Sequence, residues 1–405
     1  MGVMAHKIGL LLGGEPSQGG LYQYTLSMLD AVEALASSLS RQEGEYQVVF
    51  AYLQEHWGAE LARRKLSAVS VKRPAALRAA SYAIRKSKLK EPLSLRSEAH
   101  TLRVLLAQNA SLWLIPNVDL LTYDLRFEGY KNLPFVANIY DLMHRYETGY
   151  PEVSDKAEYD LRERIFGGMC KTARAVTVDS EIGRQQAHES YGIPLERVFK
   201  LPFIPPRYLF ANDTKPQFET RYPLPAKFIF YPAQFWDHKN HPRLLRALAL
   251  AKEHAPDMAL VLVGGTKHAN YAKTREMAQA LGLADRVIFA GYVPNEDIPE
   301  MYRRARAMIY PSLFGPTNIP PLEAMALGCP CAVSNVYAMP EQVGDAALVF
   351  DPKDEQAMAD ALTRLWNDDA LCADLSRRGK ARAAAWTQTE FNARVREIVG
   401  KVLGI

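Results

Sequence analysis

The sequence predicts an α/β protein with two parallel sheets, and three observations carry that prediction. Short β-branched or leucine-rich runs alternate with longer amphipathic runs from end to end, the pattern of strands joined by crossover helices. The alternation breaks over Leu201–Pro225, where Pro202, Pro205, Pro206, Pro216, Pro223 and Pro225 cluster among polar residues. A length of 405 residues, 48% of them apolar and 23% charged, suffices for two or three cores and excludes disordered, fibrous and single-module readings.

In the first half, strands are expected at Lys7–Leu12, Gln47–Tyr52, Leu112–Ile115, Phe135–Ile139 and Ala175–Val178. Helices follow at Leu21–Leu39, Asp155–Thr172 and Ser180–Tyr191, where apolar residues recur every three or four positions. Beyond the proline-rich break, strands are expected at Lys227–Tyr231, Ala259–Val263, Arg286–Phe289, Ala307–Tyr310, Cys331–Val333 and Ala347–Val349. The helices between them are His241–His254, Tyr271–Leu281, Asn295–Ala305 and Pro321–Leu327, with further helices from Glu355 to the C-terminus. The expected architecture is two Rossmann-like domains facing each other across a cleft: residues 1–205, residues 206–385, and a closing helix at 386–405 that crosses back to the first. Open α/β sheets bind ligands outside the carboxyl ends of their strands, so motifs directly after strands carry the most weight.

Composition narrows the function classes. No stretch approaches 18 apolar residues and the run Ile8–Leu12 is too short for a signal peptide, so neither a membrane span nor export is expected, and a cytoplasmic location is. Cys170, Cys329, Cys331 and Cys372 form no Cys-x-x-Cys and have no His in ligand spacing, so plain thiols and no metal site are expected. The net charge of +4 hides an asymmetry, because Arg63–Arg103 carries twelve basic residues against Glu91 and Glu98. Leu77, Ala80, Tyr82 and Ile84 fall at helical spacing among them. An anionic surface such as the inner membrane face is one partner for such a helix, and a solvated face is the plainer alternative. Nucleic acid is not expected, since the stretch lacks interleaved aromatics and any nucleic-acid-binding motif.

Four segments follow strands and carry chemistry-bearing residues. Pro311–Gly328 places Gly315, Pro316, Thr317 and Asn318 in a tight loop before a helix that opens near Ile319, Pro320 and Pro321. Free amides and a positive dipole end there would suit a diphosphate. Glu323, expected in the first turn, could accept from a ribose diol or simply complement the dipole. Lys239, flanked by Asp237, His238 and Asn240, can reach a phosphate as a point charge. Asp141 and His144 follow the Phe135–Ile139 strand, where His can donate to a sugar hydroxyl or phosphate oxygen, or else is a hydrogen-bonded helix-start residue. Gly13–Gly20 lets the backbone approach a ligand closely, with Gly19 and Gly20 at a helix start, but it is not Gly-x-Gly-x-x-Gly and so argues against a dinucleotide.

Phe314–Gly328 resembles the nucleotide-sugar signature of the retaining family-4 glycosyltransferases with the GT-B fold. Pro232–Asn240, Val261–Gly265, Val287–Val293, Ala307–Ser312 and Val176–Glu181 match the same family in order. The resemblance implies donor binding by Gly19, Gly20, Gln234, Lys239, Gly265, Thr317, Asn318, Ile319, Pro320 and Glu323. It implies catalytic roles for Asp141, His144 and Lys239, and neither metal nor cofactor beyond the nucleotide-sugar donor. Two positions depart from the pattern: Gly315 stands where the family has a second Glu, and Gln234 where it has an Arg. The expected activity is retaining transfer of a hexose, mannose on GDP favoured, to a polysaccharide or lipid-linked saccharide. The alternatives are a non-catalytic nucleotide-sugar-binding paralogue or partner subunit and a GT-B-like epimerase or phosphorylase.

Overall fold

Leucine and isoleucine at consecutive positions suit a strand covered on both faces, and His6–Leu12 forms β1 with Ile8, Leu10, Leu11 and Leu12 fully buried. Gly9 in this strand faces the indole of Trp113, so close that a Cβ would lie 2.3 Å from the ring. The structure, a computed structural model, describes residues 6–16, 19–38, 46–86, 97–117, 132–211, 217–267 and 269–405.

Around β1 assemble β2 (Tyr46–Tyr52), β3 (Ala68–Ser70), β4 (Leu112–Ile115), β5 (Phe135–Asn138), β6 (Ala175–Val178) and β7 (Val198–Lys200). They form a parallel sheet in the order β3-β2-β1-β4-β5-β6-β7. Sequence periodicity missed β3 and β7, which have three residues each and are too short to show it. The helix Gly20–Ser38 packs against Gln388–Leu403, with Tyr24 edge-on to Phe391 at 6.0 Å and Gln388 donating to the Ser27 carbonyl at 3.0 Å.

The second sheet contains β8 (Ile229–Pro232), β9 (Leu260–Val263), β10 (Val287–Gly291), β11 (Ala307–Tyr310), β12 (Cys331–Ser334) and β13 (Leu348–Phe350). It is parallel throughout, in the order β10-β9-β8-β11-β12-β13. Chain order reverses between β8 and β11, which opens a crevice at their carboxyl ends. The helix Ile319–Leu327 follows β11 and starts two residues earlier than sequence suggested, so Glu323 is its fifth residue and lies beyond the first turn.

By packing, one unit comprises residues 1–142, 156–202 and 388–405, and the other residues 143–155 and 203–387. The prolines and the closing helix placed the divisions after residues 205 and 385, with residues 1–205 continuous. Met143–Asp155, read as part of the first domain, packs with the second unit because Met143 and Val153 bury against Phe314.

The basic stretch is partly neutralised by acids that precede it. Arg64 donates to Asp30, Glu33 and Glu60, Arg63 to Glu60, and Lys72 to Glu55. Ala75–Lys86 is a helix in which Leu77 and Ile84 are half-buried and Ala80 is exposed. Residues 87–96, with Lys88, Lys90, Glu91 and Arg96, and the Tyr82 side chain lie outside the described residues, as do Ser17, Gln18, Leu39 and Pro216. Among the described residues no helix is long and apolar enough to cross a membrane.

Candidate active site

Lys239 follows β8 and Tyr310 ends β11, so the pairing of these two strands brings together residues 71 apart in sequence. The Lys239 ammonium is buried and donates to the Tyr310 hydroxyl at 2.9 Å and to Asn318 Oδ1 at 3.5 Å. Tyr310 in turn donates to the same Asn318 oxygen at 3.0 Å. Burial pushes the Tyr310 phenol far up, with the Glu323 charge adding to the effect, so it remains a neutral relay between the cation and the amide. Tyr310 was not among the residues singled out from sequence. A tyrosine closing the apolar strand Ala307–Tyr310, just before Pro311, was the available signal.

Asn318 is held by its backbone as well. Its N–H donates to Gln342 Oε1 at 3.0 Å and its carbonyl accepts from Gln342 Nε2 at 2.6 Å. This corrects the expectation of several free amides around Asn318–Pro320. The Asn318 amide is taken, Pro320 and Pro321 have no N–H, and Ile319 keeps the first-turn donor that remains. The dipole of a nine-residue helix stays aimed at the crevice, so its start is a weaker anion site than the motif suggested.

Gly315 has φ +114, and a Cβ there would lie 2.9 Å from Asn318 Nδ2. The space that a longer residue at 315 would need is therefore held by the Asn318 amide. Gln234, the other departure from the family pattern, accepts the Gly265 N–H at 2.9 Å and ties the loop after β8 to the loop after β9. Thr317 sits half-buried in the loop between.

Glu323 is 4% exposed and accepts hydrogen bonds from Tyr208 and Tyr302, the latter at 2.7 Å. Burial raises its pKa, against which the two phenol donors work. Each carboxylate oxygen thus already accepts one phenol hydrogen bond.

The remaining candidates are placed as follows. Asp141, in the first unit, accepts from Arg162 at 2.7 Å, and Arg162 also pairs with Glu158. His144 lies in the helix Met143–Tyr146 of the second unit and is fully buried. Gly19 and Gly20 follow β1 in the first unit; Gly19 has φ +58 and a Cβ there would meet nothing within 4 Å. Among the described residues no group of three or more His, Cys, Asp or Glu is disposed to hold a metal ion.

Residues 213–382 match the model of the family described as glycosyl transferases group 1. Mannosylfructose-phosphate synthase of Agrobacterium fabrum is 26% identical over 259 residues, 60% of this chain and 57% of that protein. O-antigen chain mannosyltransferase B of Escherichia coli is 43% identical over 95 residues, 24% of this chain and 25% of that protein. The chain thus spans less than two thirds of the length of these relatives. Among solved structures, sucrose-phosphate synthase from Thermosynechococcus elongatus superposes with a TM-score of 0.69 over 98% of this chain and 99% of that one, at 18% identity. WaaG, a glycosyltransferase involved in lipopolysaccharide biosynthesis, does so with a TM-score of 0.63 over 97% and 99%, at 14% identity. The two parallel-sheet units have the GT-B fold, and the Lys239–Tyr310–Asn318 cluster lies within the residues 213–382 that match the glycosyl transferases group 1 model.

Proposed function

We propose that the chain is a retaining glycosyltransferase that moves a hexose, mannose favoured, from a GDP-sugar to a polysaccharide or lipid-linked saccharide acceptor in surface-glycan synthesis. The observation that carries this reading is the buried Lys239 ammonium, held at the strand reversal where an α/β sheet takes its ligand. The mannosyltransferase relatives support the choice of sugar. In the transfer, the bond from the anomeric carbon to the phosphate oxygen breaks and the acceptor oxygen bonds to that carbon on the same face. The acceptor proton passes to the departing phosphate. Lys239 and the dipole at Ile319 stabilise the charge that grows there, and one such donor is worth about 10²–10³ in rate. The reading includes no metal or cofactor. A basic helix at Ala75–Lys86 resting on an anionic membrane face would bring the protein to a lipid-linked acceptor.

The test is a thermal-shift series with GDP, UDP and ADP, followed by turnover of GDP-mannose. Stabilisation by GDP above the other two is expected, about 2.7 kcal/mol at a hundred times Kd. The Lys239→Ala protein should lose about 10²–10³ of turnover with its fold intact. Unchanged turnover would sink the assignment of Lys239, and binding without turnover in the wild-type chain would favour the non-catalytic paralogue.

A further inference from the structure

The loop that carries Lys239 is gripped by a carboxylate from far outside the matched domain. Glu152 lies on the short helix Pro151–Ser154, within the residues 143–155 that pack with the second unit. One of its oxygens, Oε1, accepts both the His238 backbone N–H, at 3.0 Å, and the His238 ring Nδ1–H. An ionised carboxylate is an acceptor only, which assigns the Nδ1 proton to the ring.

His238 is 4% exposed, and its ring stacks on Phe314 with centroids 3.8 Å apart and planes 17° from parallel. The His238 carbonyl accepts the Leu313 N–H at 2.7 Å. The residue before Lys239 is therefore fixed by a carboxylate, by an aromatic face and by an amide of the loop that leads to Asn318. On its far side the anchors are separate. The Lys239 carbonyl accepts from Tyr231 at 2.6 Å, and Asn240, at φ +62, donates to Pro311 and Pro352.

We propose that Glu152 is a positioning residue: by holding His238 against Phe314 it sets the Lys239 ammonium relative to Tyr310 and Asn318. The proposal rests on Lys239 acting at the departing phosphate. A shift of about 1 Å in such a group can cost about 10² in rate even when the substituted residue lies away from the chemistry. What matters is the reach of one acceptor atom to two N–H groups rather than the negative charge. A glutamine places an amide oxygen at the same reach, whereas an aspartate keeps the charge and withdraws it by one methylene.

Two variants, Glu152→Asp and Glu152→Gln, separate these roles, with Lys239→Ala as reference and GDP-mannose as donor. Glu152→Asp should lose at least tenfold in kcat with KM for GDP-mannose changed less than threefold, and Glu152→Gln should recover most of that loss. Hydrogen–deuterium exchange of the segment 236–241 should rise in Glu152→Asp and stay near wild type in Glu152→Gln, a reading that needs no turnover. Wild-type exchange and kcat in Glu152→Asp would overturn the proposal, as would a loss in Glu152→Gln equal to or greater than that in Glu152→Asp, which would show that the charge itself is needed. If Lys239→Ala turns over like wild type, the role of Lys239 is wrong. If Lys239→Ala is inactive while Glu152→Asp is unaffected, the positioning role alone fails.

Discussion

At the scale of single residues, the two departures from the family pattern have local explanations. Gly315 adopts φ +114, a conformation that side chains rarely take, and the Asn318 amide stands where its Cβ would go. Gly315→Ala should therefore lower the stability of the second unit by about 1–3 kcal/mol, read by denaturant unfolding. Wild-type stability in that variant would show that the loop relaxes freely. Gln234, where the family has an Arg, makes a hydrogen bond that joins two loops. Lys239 depends on Tyr310. Removing the hydroxyl in Tyr310→Phe takes away a charge-assisted bond worth about 1.5–3 kcal/mol, so turnover should fall by tenfold or more and the thermal midpoint of the second unit should drop by several degrees.

Among the elements, the terminal helix Gln388–Leu403 shows how a distant segment completes a core. Phe391, Val395, Ile398 and Val399 form its buried stripe, and Phe391 meets Tyr24 of the first helix. Arg394 adds a bond to the Lys200 carbonyl at 3.1 Å, at the end of β7. Phe391→Ala should cost about 3–5 kcal/mol, and the loss should appear in the unfolding transition of the first unit while that of the second keeps its midpoint. Equal shifts of both transitions would contradict the assignment of this helix to the first unit. The helix Ile319–Leu327 makes the complementary point. Its apolar composition and two prolines announce a buried helix with a defined start, yet the same prolines remove the amides that an anion would use.

At the scale of the whole molecule, two groups of the second unit tie its stability to acid. His241 is 3% exposed and stacked on Phe235, and burial, with the charges of Lys239 and His238, pushes its pKa from 6.5 down to about 3. The unfolded chain takes up that proton first, so stability falls as pH drops from 6.5 towards 3. Burial works against the charge of Glu152, but the His238 bonds outweigh it and lower its pKa from 4.5 to about 2. Its contribution is present above pH 4.5 and is lost as pH falls towards 2. A midpoint titration should show the two losses in turn, with His241→Phe flattening the upper part. An unchanged slope between pH 6.5 and 4.5 in that variant would refute the role of His241.

Hydrophobic runs and helical periods in the sequence announced most strands of both parallel sheets, though not β3 or β7, and the loops after β8 and β11 in which Lys239 and Asn318 lie. Those are local signals, because burial on both faces of a strand forces continuous apolar composition, and a loop motif spans a dozen residues. Tertiary structure alone decided which side chains those loops meet. Tyr310 reaches Lys239 across 71 positions and Glu152 reaches His238 across 86, distances over which no periodicity operates. It also decided that residues 143–155 leave the first unit and that Glu323 is enclosed by Tyr208 and Tyr302. In each case a polar group removed from water took the partner that packing brought within hydrogen-bond reach.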